Sequence, residues 1–258
     1  MARRIKKLLL DCHVRSVYNA KAMMPPNASG CESPFINKAR EQKNGVNDII
    51  KCVLVGDGGV GKTSLIVSYS TNKFPKDYIP TAYDKYNVEV SVDGRRVGVQ
   101  LCDTAGQNDF DPLRTLCYPE ADVFMVCFSI MSSTSFENVK EKWIPEIRCY
   151  CPGAAIILVG TQNDLRNNSQ VQYQMSRRRM NTVSVSSARE LALKIDAAAY
   201  VETSALTQRD LKEAFDEAII SALTSKEKTF SRCNRNSQTK YENKQRSVWK
   251  QMCCCGKK

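Results

Sequence analysis

One run of residues has the composition and spacing that phosphate binding requires. It fits the pattern G-x-x-x-x-G-K-[ST], in which glycine N–H groups surround phosphate oxygens that a Cβ atom would keep away. The lysine adds positive charge at the β- and γ-phosphates, and the threonine hydroxyl is placed to ligate Mg²⁺. The following helix directs the positive end of its dipole at the same oxygens. The predicted phosphate-binding residues are Gly56, Asp57, Gly58, Gly59, Val60, Gly61, Lys62, Thr63 and Ser64.

A second motif, Asp103-Thr104-Ala105-Gly106-Gln107, supplies groups for hydrolysis of the terminal phosphate. Its aspartate offers a carboxylate to the Mg²⁺ shell, its glycine N–H can meet a γ-phosphate, and its glutamine is placed to orient an attacking water. Gly58 leaves room for that glutamine. We therefore predict Gln107, Lys62 and Gly58 as the catalytic residues.

A third group of residues indicates recognition of guanine. The Asp164 carboxylate can accept hydrogen bonds from N1–H and the exocyclic amine of guanine, a donor pair that adenine lacks. The backbone N–H of Ala205 can donate to guanine O6. Taken alone, the tetrapeptide around Asp164 is not a specific signal and is also consistent with a turn at the end of a strand. The predicted base-binding residues are Thr161, Gln162, Asp164, Ser204, Ala205 and Leu206.

The polar stretch between residues 71 and 84 completes the predicted site. Thr81 can offer Mg²⁺ a second hydroxyl beside Thr63 when a γ-phosphate is present, so such a segment orders with triphosphate and loosens after hydrolysis. Tyr78, in the same stretch, is also a nucleotide-binding candidate. Phe74 either stacks on the edge of the base or anchors the loop.

Strand and helix patterns alternate over residues 47–225, the part of the chain that must position these motifs. This alternation predicts an α/β fold with a largely parallel sheet. Two alternating runs around Asp93-Gly94 predict a hairpin. Thr207-x-x-Asp210 resembles a capping box in front of the last helix. Because all the polar motifs follow strand ends, where ligands bind in open α/β sheets, they should meet at one site.

Together these motifs resemble those of the Ras-type small GTPases over residues 48–224. Trp143-Ile144-Pro145-Glu146 and the basic segment near 168–180 resemble the Rho family, while Ser-Val-Trp-Lys-Gln-Met-Cys-Cys-Cys and the long N-terminal arm resemble its atypical Wrch/Chp branch. This resemblance implies a P-loop G domain with a mostly parallel six-stranded sheet, helices on both faces and a Rho-type insert helix at about 168–180.

In function, the resemblance implies a GTP/GDP switch with Mg²⁺ as cofactor, signalling to actin- and polarity-type effectors. It also implies exchange factors, GTPase-activating proteins, and CRIB-type effector kinases and scaffolds as partners. An arginine supplied in trans would raise slow intrinsic hydrolysis by roughly 10³–10⁵-fold. The expected effector contacts are Thr81, Ala82, Tyr83, Asp84, Lys85 and Tyr86.

Four positions depart from the family pattern. Gln162 replaces the usual Lys of the guanine motif and gives up contact along the base, which predicts faster nucleotide release. This favours an alternative function, a largely GTP-loaded scaffold in which hydrolysis is incidental. Lys85 replaces Asn, which bears on effector choice, and Asn108 replaces Glu after the catalytic glutamine. Gly59 stands where the family more often has Ala, a change expected to be harmless.

The net charge of +11 is concentrated at the two ends of the chain. Residues 1–50 carry nine Lys or Arg against four Asp or Glu, and residues 226–258 carry ten against two, whereas the middle is slightly acidic. We predict a disordered basic arm over 1–47, a G domain over 48–225 and a basic targeting tail over 226–258. Such arms suit anionic lipid or nucleic acid, and the scarcity of aromatic residues among the tail charges disfavours nucleic acid.

The cysteines divide into buried thiols and a terminal cluster. Cys52, Cys102 and Cys127 fall in strand-like apolar runs, which suits a reducing cytosol. The chain end is a poor prenylation signal, so acylation beside basic residues would supply the two signals that stable anchoring needs. The alternative is a solvated tail with free thiols. The expected locations are the cytoplasmic face of the plasma membrane, endosomal membranes and the cytoplasm, and the lipidation candidates are Cys253, Cys254 and Cys255.

Overall fold

A computed structural model describes residues 48–75, 81–177 and 181–227. Within them, six strands form one sheet in the order β2-β3-β1-β4-β5-β6. All neighbouring pairs are parallel except β2 with β3. This arrangement confirms the predicted α/β fold with its mostly parallel sheet. The strands are β1 Asp48–Val55, β2 Tyr83–Val92, β3 Arg95–Thr104, β4 Val123–Ser129, β5 Ala155–Thr161 and β6 Ala199–Glu202.

The hairpin predicted at Asp93-Gly94 is present and joins β2 to β3. Both turn residues have positive φ, 50° and 75°, as a two-residue turn that follows the twist of its strands requires. Val92 pairs with Arg95 beside the turn, and Tyr83 pairs with Thr104 at the far end. The antiparallel pairing therefore places the start of β2, at the edge of the sheet, beside the motif at the end of β3.

Helices cover both faces of the sheet. On one face, α1 and the last helix, α6, pack on a core that includes Ile50, Leu54 and Phe215. On the other, α3 and α5 pack on a core that includes Phe124, Phe128 and Trp143. The short α2 and the exposed α4 lie outside these layers. The helices are α1 Lys62–Thr71, α2 Asp111–Thr115, α3 Ser133–Asn138 continuing to Ile144–Tyr150, α4 Ser169–Arg177, α5 Val185–Lys194 and α6 at 211–227.

The two halves of α3 are joined by a π-helical turn, Val139–Trp143. The N–H of Ile144 donates to the carbonyl of Val139, five residues earlier. Pro145 follows directly, and a proline inside a helix removes one N–H donor and crowds the carbonyl four residues before it. The sequence therefore supplies a local cause for the wider turn.

The end of α6 is tied to the beginning of β1. Lys226 Nζ donates to the carbonyl of Ile49 at 2.6 Å and pairs with the Asp122 carboxylate at 2.9 Å. One side chain thus ties the end of α6 both to β1, where the described domain begins, and to Asp122 in front of β4.

The capping box predicted before α6 is wrong. The Thr207 N–H donates to the Ser204 hydroxyl, Gln208 and Asp210 adopt left-handed backbone conformations, and α6 begins at residue 211. The Ser204 hydroxyl therefore accepts the hydrogen bond from the Thr207 N–H. In a capping box that N–H would have donated to the Asp210 side chain. The helix expected near 168–180 is present as α4, Ser169–Arg177.

The predicted arm over 1–47 lies outside the described residues, as do residues 228–258 of the tail and its three lipidation candidates. None of the helices in the described ranges is both long and apolar enough to span a bilayer.

Candidate nucleotide site

Four motifs meet where the parallel strands end. The G-x-x-x-x-G-K-T loop follows β1, Asp103–Gln107 closes β3, Thr161–Asp164 closes β5, and Ser204–Leu206 follows β6. A cavity of about 680 Å³ opens beside the first three motifs, within the roughly 300–1,000 Å³ of ordinary ligand pockets. Asp164 and Ser204–Leu206 do not line it. Its walls include Gly58, Gly59, Gly61, Lys62, Thr63, Ser64, Phe74, Thr81, Tyr83, Gly106, Gln107 and Gln162.

Lys62 lies within the phosphate-binding loop. Its ammonium donates to the carbonyls of Gly56 and Asp57 at 2.8 and 2.9 Å. Burial lowers the pKa of this lysine, and the nearby carboxylates Asp103 and Asp57 oppose that shift. The loop carbonyls thus hold a buried cation beside the place where phosphates would enter.

Two glycines let the site's backbones approach one another closely. A Cβ on Gly56 would lie 2.1 Å from the carbonyl oxygen of Cys127 in β4. A Cβ on Gly106 would lie 2.3 Å from the carbonyl carbon of Asp57 and 2.4 Å from the nitrogen of Gly58. No side chain fits at either position, so both motifs depend on glycine for their spacing.

Three oxygen-bearing side chains form a cluster suited to Mg²⁺. Thr63 Oγ1 donates to Asp103 Oδ2 at 2.6 Å and lies 2.8 Å from Thr81 Oγ1. Asp103 is fully buried; burial raises its pKa, and the hydrogen bond from Thr63 opposes the rise. Asp103 Oδ1 is buried and has no hydrogen-bond partner among the described residues. Hard oxygen donors with an unused buried carboxylate oxygen fit this metal.

Gln107 stands at the mouth of the cavity, opposite the phosphate-binding loop. Its side chain is exposed, and a Cβ on Gly58 would lie 3.7 Å from its Cγ. A methyl group at position 58 would therefore make only an ordinary van der Waals contact with the glutamine, so this arrangement does not by itself require glycine. Arg114 donates to the carbonyls of Ala105 and Gln107 at 3.1 and 3.4 Å and so holds the backbone that carries the glutamine.

The base end of the site is built from side chains that fix the loops. Ser204 Oγ donates to Asp164 Oδ1 at 2.6 Å, and the Asn163 N–H donates to the Thr203 carbonyl. Ser68 Oγ donates to the carbonyl of Ala205 at 2.7 Å and so holds the backbone of that motif. These bonds hold the two base-binding motifs side by side.

Two predicted binding residues face away from the cavity. Thr161 is buried and donates to the carbonyls of Val60 and Phe128 at 2.6 and 3.0 Å, and Val60 is itself part of the core. Their side chains brace the loops, and any ligand contact would come from backbone. Leu206 is 58% exposed and does not line the cavity, whereas Phe74, 43% exposed, does. Tyr78 lies outside the described residues.

Gln162 lines the cavity in a left-handed conformation with φ 63°. Its Oε1 accepts a hydrogen bond from Ser129 Oγ at 2.5 Å. Because the carbonyl end of the side chain is held by the end of β4, its amide nitrogen is the end left for a ligand.

The expected effector segment runs along the exposed edge of the sheet. It begins at Thr81 and Ala82 and continues as the first residues of β2, which among the described strands pairs with β3 alone. Asp84 and Lys85 are exposed, and Tyr83 and Tyr86 are half-buried. The segment therefore joins the candidate metal site to a surface open to partners.

Sequence reasoning missed the residues that support the phosphate-binding loop from α3. The Asp57 carboxylate accepts hydrogen bonds from Asn138 Nδ2 at 2.7 Å and Trp143 Nε1 at 2.8 Å. Asp57 was expected to touch nucleotide, yet its side chain faces this helix. The signal available in sequence was Pro145, because a proline within a helical pattern marks a distortion.

Comparison with known families agrees with this geometry. The model of the Ras family matches residues 51–224, about two thirds of the chain. The chain belongs to the Ras family. The protein is therefore a small GTPase, a switch that binds GTP and GDP. Members of this family in general hydrolyse GTP, use Mg²⁺ and have exchange factors, activating proteins and effectors as partners.

Proposed function

We propose that this Ras-family protein binds Mg²⁺·GTP at the described cavity and hydrolyses it with the residues assembled there. The observation that carries the proposal is the cluster of Thr63, Thr81 and Asp103. It places three oxygen ligands beside the buried Lys62, with one Asp103 carboxylate oxygen unused among the described residues. When bound, Mg²⁺ neutralises charge on the β- and γ-phosphates.

The hydrolytic role is assigned to residues around the γ-phosphate. Gln107 orients a water, whose oxygen forms a bond to the γ-phosphorus. The bond from that phosphorus to the β–γ bridging oxygen breaks and its electron pair stays on GDP, while a proton of the water passes to a phosphate oxygen, so the products are GDP and inorganic phosphate. Lys62 and the N–H of Gly106 stabilise the charge that develops on the phosphate oxygens.

Guanine selection is assigned to Asp164, held by the 2.6 Å hydrogen bond from Ser204. Asp164→Ala should weaken GDP binding by at least tenfold and reduce the preference for GDP over ADP, measured by competition with a fluorescent nucleotide. Asp210→Ala, an exposed aspartate at the start of α6, is the matched control. Equal affinity of the wild type for ADP and GDP would refute guanine selection.

The hydrolase role is tested in single turnover. Gln107→Ala should retain GTP binding and lose about 10²-fold or more in phosphate release, in line with the usual contribution of a positioned catalytic group. Gln170→Ala, an exposed glutamine on α4, is the control. If wild-type protein releases no phosphate even with an activating protein present, hydrolysis is not its function.

We further propose a Rho-type protein of the Wrch/Chp-like branch that signals from a membrane to CRIB-type effectors of actin and polarity. The insert helix α4, the Trp143–Glu146 motif and the exposed 81–86 segment support this assignment. Binding of a CRIB peptide should depend on GTP and fall on Asp84→Ala; unchanged binding in the GDP state would count against it.

Anchoring is proposed through acylation of Cys253, Cys254 and Cys255 together with the basic tail, on the plasma membrane and endosomal membranes. Replacing all three cysteines by serine should move the protein to the soluble fraction of cells. A triple variant that keeps full membrane binding would refute the acyl anchor.

A second function rests on Gln162. In this alternative, the protein is a scaffold that exchanges nucleotide fast and is mostly loaded with GTP. The shorter neutral side chain of Gln162 at the base-binding motif supports this alternative. Comparing the GDP release rate with the GTP hydrolysis rate on one sample separates the two functions. Release faster than hydrolysis favours the scaffold, and slower release favours the hydrolytic switch.

A further inference from the structure

The phosphate-binding loop is fastened to α3 by one carboxylate. Asp57 Oδ1 accepts from Trp143 Nε1 at 2.8 Å, and Asp57 Oδ2 accepts from Asn138 Nδ2 at 2.7 Å. The two donors lie 86 and 81 residues along the chain from Asp57. Both carboxylate oxygens are thus used in contacts to a helix that contributes no phosphate ligand.

Both donors reach the same carboxylate because of the π-helical turn. In an α-helix of 3.6 residues per turn, residues five apart point about 140° away from each other. A turn closed by a bond between residues five apart brings them close to one side. Asn138 and Trp143 are five apart and flank such a turn, which Pro145 favours. The π-helical turn thus accounts for both side chains facing Asp57.

The same tryptophan also contacts the support of Gln107. The indole of Trp143 is fully buried, and Arg114 Cζ lies 4.7 Å from its ring centre. Arg114 donates to the Gln107 carbonyl at 3.4 Å and is held by Glu146 through bonds of 2.9 and 2.8 Å. One aromatic side chain therefore lies between the phosphate-binding loop and the loop carrying the catalytic glutamine.

We propose, building on the proposed GTPase function, that Trp143 and Asn138 are positioning residues for hydrolysis. They fix the spacing between the phosphate-binding loop and Gln107 without touching nucleotide. Base contacts and loop N–H groups determine nucleotide affinity, whereas the attack of water depends on the distance between the two loops. Loss of these hydrogen bonds should therefore slow hydrolysis far more than it weakens binding.

Trp143→Phe tests the indole N–H, since it keeps an aromatic ring against Arg114. We expect the rate of single-turnover GTP hydrolysis to fall about tenfold. This is less than the roughly 10²-fold loss of rate that a misplacement of one ångström can cause. The affinity for GDP should change less than threefold. Lys140→Ala, in the same turn and 68% exposed, is the control and should match wild type. Wild-type hydrolysis in Trp143→Phe would overturn the proposal.

A charge exchange separates positioning from general damage. Asn138→Asp puts a second carboxylate against Asp57 and should slow hydrolysis at least as much. In the double variant with Asp57→Asn, the new amide again donates to one partner and accepts from Trp143, so the rate should recover to within threefold of wild type. No recovery, with both proteins folded and nucleotide-bound, would refute the proposed contact.

The wild-type control distinguishes this inference from the proposed function. If wild-type protein neither binds GTP nor releases phosphate, the proposed GTPase function fails. If it does both and the variants hydrolyse like wild type, only the positioning role fails. Thermal unfolding of each GDP-loaded variant identifies any loss that comes from unfolding.

Discussion

Gln162 combines an unusual backbone conformation with a fixed side chain. Its φ of 63° lies in the left-handed region, which non-glycine residues seldom adopt. The Ser129 hydroxyl holds its carbonyl oxygen at 2.5 Å. The family's lysine would extend four carbons along the base, whereas this glutamine is shorter and is held at its carbonyl end. We therefore expect a smaller contact with the base than a lysine would make.

Gln162→Lys should restore that contact and slow GDP release by roughly tenfold, which corresponds to about 1.4 kcal/mol. Release of a fluorescent GDP analogue by stopped flow is the measurement. Gln170→Lys adds the same charge on exposed α4 and should leave the rate unchanged. A Gln162→Lys protein that releases GDP as fast as wild type would show that another residue determines nucleotide retention.

At the scale of elements, the junction between β1 and β4 depends on Gly56. Gly56→Ala would bring a Cβ to 2.1 Å from the Cys127 carbonyl oxygen at a φ of +144°. Because backbone must move, we expect a loss of about 3 kcal/mol or more in unfolding free energy, or failure to fold. Urea unfolding of the GDP-loaded protein is the measurement.

Gly59→Ala is the matched control for this prediction. Gly59 has a φ of +76°, but nothing lies within 4 Å of its added Cβ. The expected cost is about 1–2 kcal/mol, from backbone conformation alone. Equal costs for the two substitutions would mean that the contact with Cys127 does not limit the junction.

Sequence patterns predicted the elements whose causes are local. Asp93-Gly94 fixed the hairpin, and the strand-end position of each polar motif predicted their convergence. Arg114 could not be predicted in this way, because its burial depends on Glu146, which lies 32 residues further along the chain. The capping pattern at Thr207 failed for a local reason: its N–H donates to the Ser204 hydroxyl three residues earlier, and Gln208 and Asp210 adopt left-handed conformations before the helix begins. Distance along the chain therefore explains the case of Arg114 only.

For the whole molecule, ligand and stability are linked. A ligand that binds only the folded state stabilises it by about 2.7 kcal/mol at 100 times its Kd, and a domain of this size gains roughly 2–4 °C per kcal/mol. Excess Mg²⁺·GDP should therefore raise Tm by roughly 5–10 °C. Chelation of Mg²⁺ should reduce that gain, because Thr63 and Asp103 then lose their shared ligand.

Mg²⁺·ADP at the same concentration is the control for this measurement by thermal unfolding. If ADP binds about 100-fold more weakly than GDP, this concentration equals its Kd, so a stabilisation of about 0.4 kcal/mol should shift Tm by less than about 2 °C. Equal shifts with the two nucleotides would contradict base selection at the level of the whole protein.

The bond from Lys226 to the Ile49 carbonyl has a consequence for protein engineering. It places the two ends of the domain within one lysine side chain of each other, and neighbouring ends are what tolerated circular permutations share. A short linker from residue 227 to residue 48 would close the domain into a ring. That ring could be reopened at the exposed turn near Gly153, which follows α3. Reporter domains could then be fused at the new ends beside α3, away from residues 1–47 and 228–258.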